Sequence, residues 1–516
     1  MARSACRRAA RATATLVTGL GLVLGCRAEP TSLPHGEGQT ASVEPTREPD
    51  PTPVPAEPDP IEPEGAEPSA VAAEPYTPAS TLGPAVETRK ATRSRAVYER
   101  PEFGAPLRGR IHRGESFFVY ATREQGPVGR GEDRCDRAWA QVAEGGWVCL
   151  ERTEVTRDEP VGLPVLAAGE LLPFIYARHV DHDEAETAPL PVYASLSAFN
   201  RGDAPVSTLP AYGSYAFVRA FANKGKRLLM TSNHQVVPAA GLREFKPSEF
   251  AGEVLEPDSI PAGATLAWAV RHKSPVRAAA DPEAEEIGRV PYHEPIFVRG
   301  PGVLGPDGER WFEIADLEPP LGPDGRPSSA PRAGWISDHD LRRFLPVAPP
   351  EPILAGQITV DVDLREQVLS IWREDQPVFA TLISSGKPGD STPIGLYRIE
   401  VKWAWGKMAS LSTAEDPYFV DAVPWAMYFD GRYALHAAYW HDHFGHRRSH
   451  GCVNLAPSDA KRVFDSITPT LPAGWLLVHE HASDPGALVR IRDGERALPD
   501  HRSPLAQSAG EPEPTD

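Results

Sequence analysis

Fourteen prolines fall between Pro30 and Pro84, interleaved with Glu, Ala and Thr and with almost no aromatic residues. A run of this kind buries too little apolar surface to offset the entropy of ordering it, so residues 26–88 are expected to form an extended, self-repelling tether. At a polyproline rise its contour is on the order of 150–200 Å. The chain has 516 residues, and what lies beyond the tether suffices for three or four domains at the usual ~100–200 residues each. The formal charge of −18 is unevenly placed, with four Arg and no acid in the first 25 residues and two Arg against twelve acids in residues 26–87. The remaining body is mildly acidic, which argues against a nucleic-acid partner. No apolar run reaches the ~18 residues that a membrane-spanning helix needs.

Residues 1–25 read as an export signal, with Arg3, Arg7, Arg8 and Arg11 ahead of a mostly apolar stretch from Ala12 to Gly25. The stretch ends in Val23-Leu24-Gly25-Cys26, which resembles the bacterial lipobox. The resemblance implies that Cys26 is lipidated and becomes the first mature residue. With Arg27 following, it implies an anchor on the periplasmic face of the outer membrane of a Gram-negative cell. An ordinary secretory signal cleaved nearby is the alternative.

Export makes the remaining cysteines informative. Cys135 and Cys149 enclose 13 residues ending in Gly145-Gly146-Trp147-Val148, a spacing that a β-hairpin brings into disulfide reach. Closing so short a loop stabilises by up to ~3 kcal/mol. Cys452 is left over. It is either an inert buried thiol or one kept for chemistry.

Residues 89–345 carry a weak internal repeat of short alternating strands punctuated by Gly and Pro. One copy runs from Ala96-Val97-Tyr98 through Phe117-Phe118-Val119-Tyr120 to Gly146-Trp147-Val148. A second runs from Pro275-Val276-Arg277 through Pro295-Ile296-Phe297-Val298 to Gly334-Trp335-Ile336, and a fainter one includes Leu190–Tyr193 and Tyr215–Val218. Both clear copies resemble bacterial SH3-like domains, which implies small β-barrels at 89–157 and 265–346, with a divergent one at 165–255. Wall binding and a purely structural role are both open for them.

From Gly356 to Glu480 strand patterns succeed one another, beginning with Gln357–Leu364 and Gln367–Trp372. Only one helix is expected there. It starts at Pro457, with Ser458 and Asp459 in its first turn and Val463, Phe464 and Ile467 on its apolar face.

A thiol is only a few per cent ionised near neutral pH, so a nucleophilic Cys452 needs an imidazole or an environment that favours thiolate. His436 and His450 are the candidates. Gly451 lets the backbone bend sharply, which would leave the amides of Gly451 and Cys452 free to face a developing oxyanion. The reaction class these residues suggest is acyl transfer through a thioester.

Thr392-Pro393-Ile394-Gly395-Leu396-Tyr397, then His436, then Ser449-His450-Gly451-Cys452-Val453-Asn454-Leu455 resembles the L,D-transpeptidase catalytic domain, the YkuD family. The resemblance implies such a domain at 354–482, followed by an acidic, disordered tail at 483–516. It implies that Cys452 attacks the carbonyl on the L-centre of the third residue of a peptidoglycan stem, expels D-Ala and passes the acyl group to a neighbouring amine. His436 would be the base, with the Ala437 carbonyl orienting its ring. His450 and Gly451 would shape the site, Ser449 would support the turn, Asn454 would face the substrate, and Tyr428 and Trp440 would line the donor pocket. Ala437 and Asn454 stand where many members have Gly and Arg.

His436, His441, His443, His446 and His450 fall within 15 residues. They lack the paired spacings of a zinc motif, so no cofactor and no metal are expected, and the middle three are read as a polar loop over the cleft. The expected fold is mainly β, with small SH3-like barrels followed by a β-sandwich and one principal helix. A non-catalytic envelope-tethering protein, and hydrolytic use of the same thiol, are the competing functions.

Overall fold

The computed structural model describes residues 82–124, 135–136, 138–180, 189–315, 330–353, 355–410 and 418–494. All of them belong to one compact unit spanning Pro55–Asp516. The export signal, Cys26 and nearly all of the tether lie outside the described residues. The protein is mainly β, with two α-helices among the described residues, Leu196–Arg201 and Pro457–Ser466.

The carboxy-terminal region is a sandwich of two sheets. In the first sheet, Ile358–Asp363 pairs antiparallel with Val368–Arg373, which pairs in turn with Gln376–Leu382. Ile358, Val360 and Val362 alternate inward and pack with Leu369, Ile371, Trp425, Met427, Val453 and Leu455 between the sheets. The outward set on the same strand includes Asp361 and Asp363, both buried. Buried carboxylates need cationic partners, and these come from Arg490 and Arg492. Arg490 Nε pairs with Asp361, while Arg492 reaches Asp361 at 2.8 Å and Asp363 at 2.6 Å. The same two guanidiniums donate to the carbonyls of Leu345, Val347 and Ala348, so the ion network also fastens the segment that leads into the sandwich.

This corrects the carboxy-terminal boundary. Leu488–Arg492, assigned from sequence to a disordered tail, is a strand of the first sheet, parallel to Ile358–Asp363 and antiparallel to Gly395–Arg398. Its arginines suggest solvent exposure when read alone; the carboxylates that bury them lie about 130 residues earlier in the chain.

The helix Pro457–Ser466 has Pro457 in its first turn, where the missing amide hydrogen is no loss, and buries Ala460, Val463 and Phe464 in the sandwich core. Asp459 is buried in that first turn, where its carboxylate accepts the Gly252 amide at 3.0 Å and the Thr381 hydroxyl. At the other end, buried Lys402 donates to the carbonyls of Phe464 and Ile467, which an α-helix cannot satisfy for itself.

The upstream β units are joined to the sandwich by strand pairing rather than strung beside it. Leu107–Ile111 pairs antiparallel with Trp475–His479, and Trp475 and Val478 complete the core of the first unit around Val97, Ile111, Phe117 and Val148. A Cβ at Gly109 would lie 2.5 Å from the Leu477 carbonyl oxygen; the close approach requires glycine. Cys135 and Cys149 are disulfide-bonded in this unit, against Trp139. Gly213–Phe217 from the second unit pairs in parallel with Phe419–Asp430, and Glu253–Val254 extends the first sheet beside Gln376–Leu382. The third unit is a seven-stranded sheet built on Val276, Ile296, Phe312 and Ile336. Trp268, Val270 and Phe344 share a second core with Trp372 and Phe444 of the sandwich.

Candidate active site

Phe419–Asp430 and Tyr433–Ala437 form a hairpin with Gly431 and Arg432 at its tip, and Val453–Leu455 runs parallel to the return arm. The register is Leu435↔Val453, His436↔Asn454, Ala437↔Leu455. Directly paired residues share a face of the sheet, and so do residues two apart along a strand. His436 and Asn454 therefore share a face with Ala434, and Cys452 stands immediately before the strand, with the Ala434 backbone within hydrogen-bond reach of its sulfur.

Cys452 is partly buried, with Sγ 3.7 Å from the Arg432 carbonyl oxygen. Burial pushes its thiol above the ordinary value, opposed by the Ala434 backbone and the Arg432 charge. His436 is 2 % exposed, and its Nδ1 lies 3.0 Å from the Ala437 carbonyl oxygen. A carbonyl only accepts, so Nδ1 carries the hydrogen and Nε2 presents a lone pair. Burial pushes the His436 pKa down to about 4, against the pull of the Ala437 carbonyl. At neutral pH the pair thus rests as thiol and neutral imidazole.

The Ser449–Cys452 turn is held from both sides. Gly451 has φ +117°, and a Cβ there would lie 2.5 Å from the Tyr433 ring. Thr392 Oγ1 donates to the Gly451 carbonyl at 2.8 Å while accepting the Gly386 amide at 3.0 Å. Ser449 Oγ donates to the Cys452 carbonyl and accepts the Gly451 amide at 3.1 Å. This corrects one expectation: the Gly451 amide is engaged by Ser449 and does not face outward. Among the described residues, none of these turn hydrogen bonds is made by the Cys452 amide.

Asn454 also differs from expectation. It is 3 % exposed, and its carboxamide lies 3.0 Å from His441 Nε2. His441 Nδ1 accepts the His443 amide at 3.2 Å, and burial pushes its pKa down to about 3. The hydrogen of that neutral ring therefore sits on Nε2, so Asn454 must turn its oxygen toward it. As placed, Nδ2 faces the ring and Oδ1 is the buried atom without a partner; turning the carboxamide over pairs oxygen with the ring N–H and puts the NH2 group at the unpartnered end. Ser449 and Asn454 are thus both buried, with their polar atoms turned toward the turn and toward His441.

His450 is exposed, stacked on Tyr418 at 5.1 Å between ring centres, with Nε2 3.2 Å from Lys387 Nζ. Trp440 lies 5.7 Å from the His436 ring. Tyr428 is pushed up to about 12, first by burial and then by the nearby Cys452 and Tyr418, which places both tyrosines in the field of the sulfur. Tyr418, Lys387 and Arg432 were not singled out from sequence, and no spacing points to them. The role of Thr392 had a signal, its Thr-Pro-x-Gly setting, but no residue pattern shows which carbonyl its hydroxyl meets.

The loop with His441, His443 and His446 packs on the third upstream unit instead of standing free over the cleft. His446 Nε2 meets the Val270 carbonyl at 2.7 Å, Arg342 Nε donates to the Gly445 carbonyl at 2.9 Å, and Tyr292 donates to the Asp442 carbonyl at 2.9 Å. Among the described residues, no group of three or more His, Cys, Asp or Glu is placed to hold a metal ion.

The YkuD family model, described as the L,D-transpeptidase catalytic domain, matches residues 357–491. Among solved structures, a mutant L,D-transpeptidase from Enterococcus faecium is 24 % identical, covering 27 % of this chain and 50 % of that one, with a TM-score of 0.21. An L,D-transpeptidase from Stackebrandtia nassauensis is 24 % identical over 30 % of this chain and 62 % of its own, with a TM-score of 0.20. One from Mycobacterium smegmatis is 16 % identical over 49 % of this chain and 89 % of its own, with a TM-score of 0.22. The chain spans half the length of the first of these. No curated protein matches it. The family match supports L,D-transpeptidase-type function for residues 357–491.

Proposed function

We propose that the chain is a cysteine acyltransferase acting on peptidoglycan stem peptides. The observation that carries the reading is that Cys452 immediately precedes the strand that pairs with His436, whose imidazole is fixed in the tautomer that leaves Nε2 able to take a proton. Because thiol and imidazole both rest neutral, the thiol proton moves to Nε2 as sulfur approaches the carbonyl carbon of the third stem residue. The oxyanion takes its hydrogen bond from the Cys452 amide. Collapse breaks the bond to D-Ala, whose nitrogen receives the proton back from Nε2, leaving a thioester. An acceptor amine then attacks the thioester, gives its proton to Nε2, and the thiol is regenerated.

The acceptor is a second stem or a protein amine; water in its place makes the same acyl-enzyme hydrolytic. A lipid anchor at Cys26 and the Pro-rich tether would hold the enzyme at a membrane while it works in the wall, and the upstream units are read as SH3-like modules. Incubation with a stem tetrapeptide should release free D-Ala and yield a cross-linked dimer by mass spectrometry. Cys452→Ala should yield neither, and D-Ala release by a folded Cys452→Ala chain would overturn the assignment.

A further inference from the structure

The hairpin tip beside Cys452 carries a permanent cation that the acyl-transfer steps do not use. Gly431, at φ +51°, and Arg432 turn the chain between Asp430 and Tyr433. This tip is fastened to the Cys452 turn twice. Through the backbone, the Arg432 carbonyl oxygen lies 3.7 Å from Sγ. Through the side chain, the exposed guanidinium sits over the Tyr433 ring, 5.1 Å from its centre, and donates to the Tyr433 hydroxyl at 3.0 Å. The Tyr433 ring in turn lies against Gly451, where an added Cβ would be 2.5 Å from it. A long side chain is thereby held close to the sulfur. Burial raises the Cys452 thiol, and the Arg432 charge is near enough to oppose it.

The other cations around the turn are engaged or act elsewhere. Lys387 Nζ lies 3.5 Å from Asp390 Oδ2 and 3.2 Å from His450 Nε2. Arg447 Nη2 faces Asp493 at 3.8 Å. Arg448 acts, behind burial, on His441 and His443 of the histidine loop. Arg432 has no carboxylate within ion-pair distance among the described residues, and the acid in its field, Asp390, is the partner of Lys387. Its guanidinium spends one N–H on Tyr433 and keeps the rest.

Acyl transfer from a stem peptide brings an anion to this place. The stem ends in the α-carboxylate of the D-Ala that is expelled, and ordinary bond lengths set that carboxylate within about 4 Å of the carbonyl carbon under attack. Sulfur gains negative charge as it attacks, so the carboxylate opposes the step unless a cation stands beside it. A guanidinium suits that task, because it meets a carboxylate through two parallel N–H donors.

We propose that Arg432 binds the terminal α-carboxylate of the donor stem and so selects stems that end in a free D-amino acid. This rests on the reading of Cys452 as the nucleophile toward such stems and names the group by which the donor is recognised.

The test gives the full chain one stem tetrapeptide in two forms, the free acid and the C-terminal amide, and follows release of D-Ala or D-Ala amide by mass spectrometry. Wild type should favour the acid at least tenfold in kcat/KM. In Arg432→Gln that preference should fall below twofold through loss on the acid alone, and Arg432→Lys should recover part of it. Both peptides meet the same sulfur, so the ratio cancels any effect of the charge on the thiol, and a merely structural role would lower both rates together. The same two peptides titrated calorimetrically into the Cys452→Ala chain should show the acid binding at least tenfold more tightly, with the difference lost when Arg432→Gln is added. Equal use of the two peptides by wild type, or an undiminished preference in a folded Arg432→Gln chain, would overturn the proposal. Tighter, Arg432-dependent binding of the acid without release of D-Ala would uphold the carboxylate site and sink the acyl-transfer reading, whereas equal release from both peptides would do the reverse.

Discussion

At the scale of single residues, the governing fact is that burial sets both protonation states at the site. His436 titrates at about 4, so it remains a base well below the pH at which an ordinary imidazole has been protonated. A reaction dependent on an ordinary histidine base would lose about tenfold in kcat/KM between pH 7.5 and 5.5. Here the loss over that interval should be less than twofold, with the acid limb centred near pH 4. A pH–rate profile of acylation checks this, and a limb near pH 6.5 would contradict it. The same depressed value has a stability consequence with a definite sign. Below the ordinary imidazole value the unfolded chain takes up a proton that the folded site refuses, so stability falls as pH drops from about 6.5 toward 4.

At the scale of elements, the strand positions and the one helix of the sandwich were readable because apolar alternation is local, and the Ser449–Cys452 turn was readable because its residue types are unusual together. Pairing across the chain was not. The arginines of Leu488–Arg492 look like solvent-facing charges until Asp361 and Asp363 are placed beside them, and nothing near Asn454 in sequence reveals that its carboxamide meets His441. The engagement of the Gly451 amide by Ser449 was equally hidden, since it depends on the turn's dihedral angles rather than on spacing. The buried ion network should behave as a unit. Arg492→Ala leaves two carboxylates short of a partner and should destabilise the fold by about 3–5 kcal/mol in urea unfolding. A change below 1 kcal/mol would mean that the network is effectively solvated.

At the scale of the whole molecule, the upstream units belong to the architecture of the sandwich. Leu107–Ile111 continues its second sheet, Glu253–Val254 continues its first, and the third unit holds the histidine loop. The repeat in the sequence announced β units but not these junctions, which are made by backbone groups that carry no sequence signature. Gly109→Val should force the first unit away from Trp475–His479, lower the thermal transition and expose Trp475, all measurable by scanning calorimetry and tryptophan fluorescence. An unchanged transition would show that the junction does not bear on stability. The most direct test of the central claim, that neutral His436 deprotonates Cys452 during attack, is the rate at which a carbapenem adds its mass to the intact protein at neutral pH. Wild type should acquire one adduct, Cys452→Ala none, and His436→Gln should acquire it ~10²–10⁴-fold more slowly. An adduct on Cys452→Ala, or an undiminished rate in His436→Gln, would contradict the account.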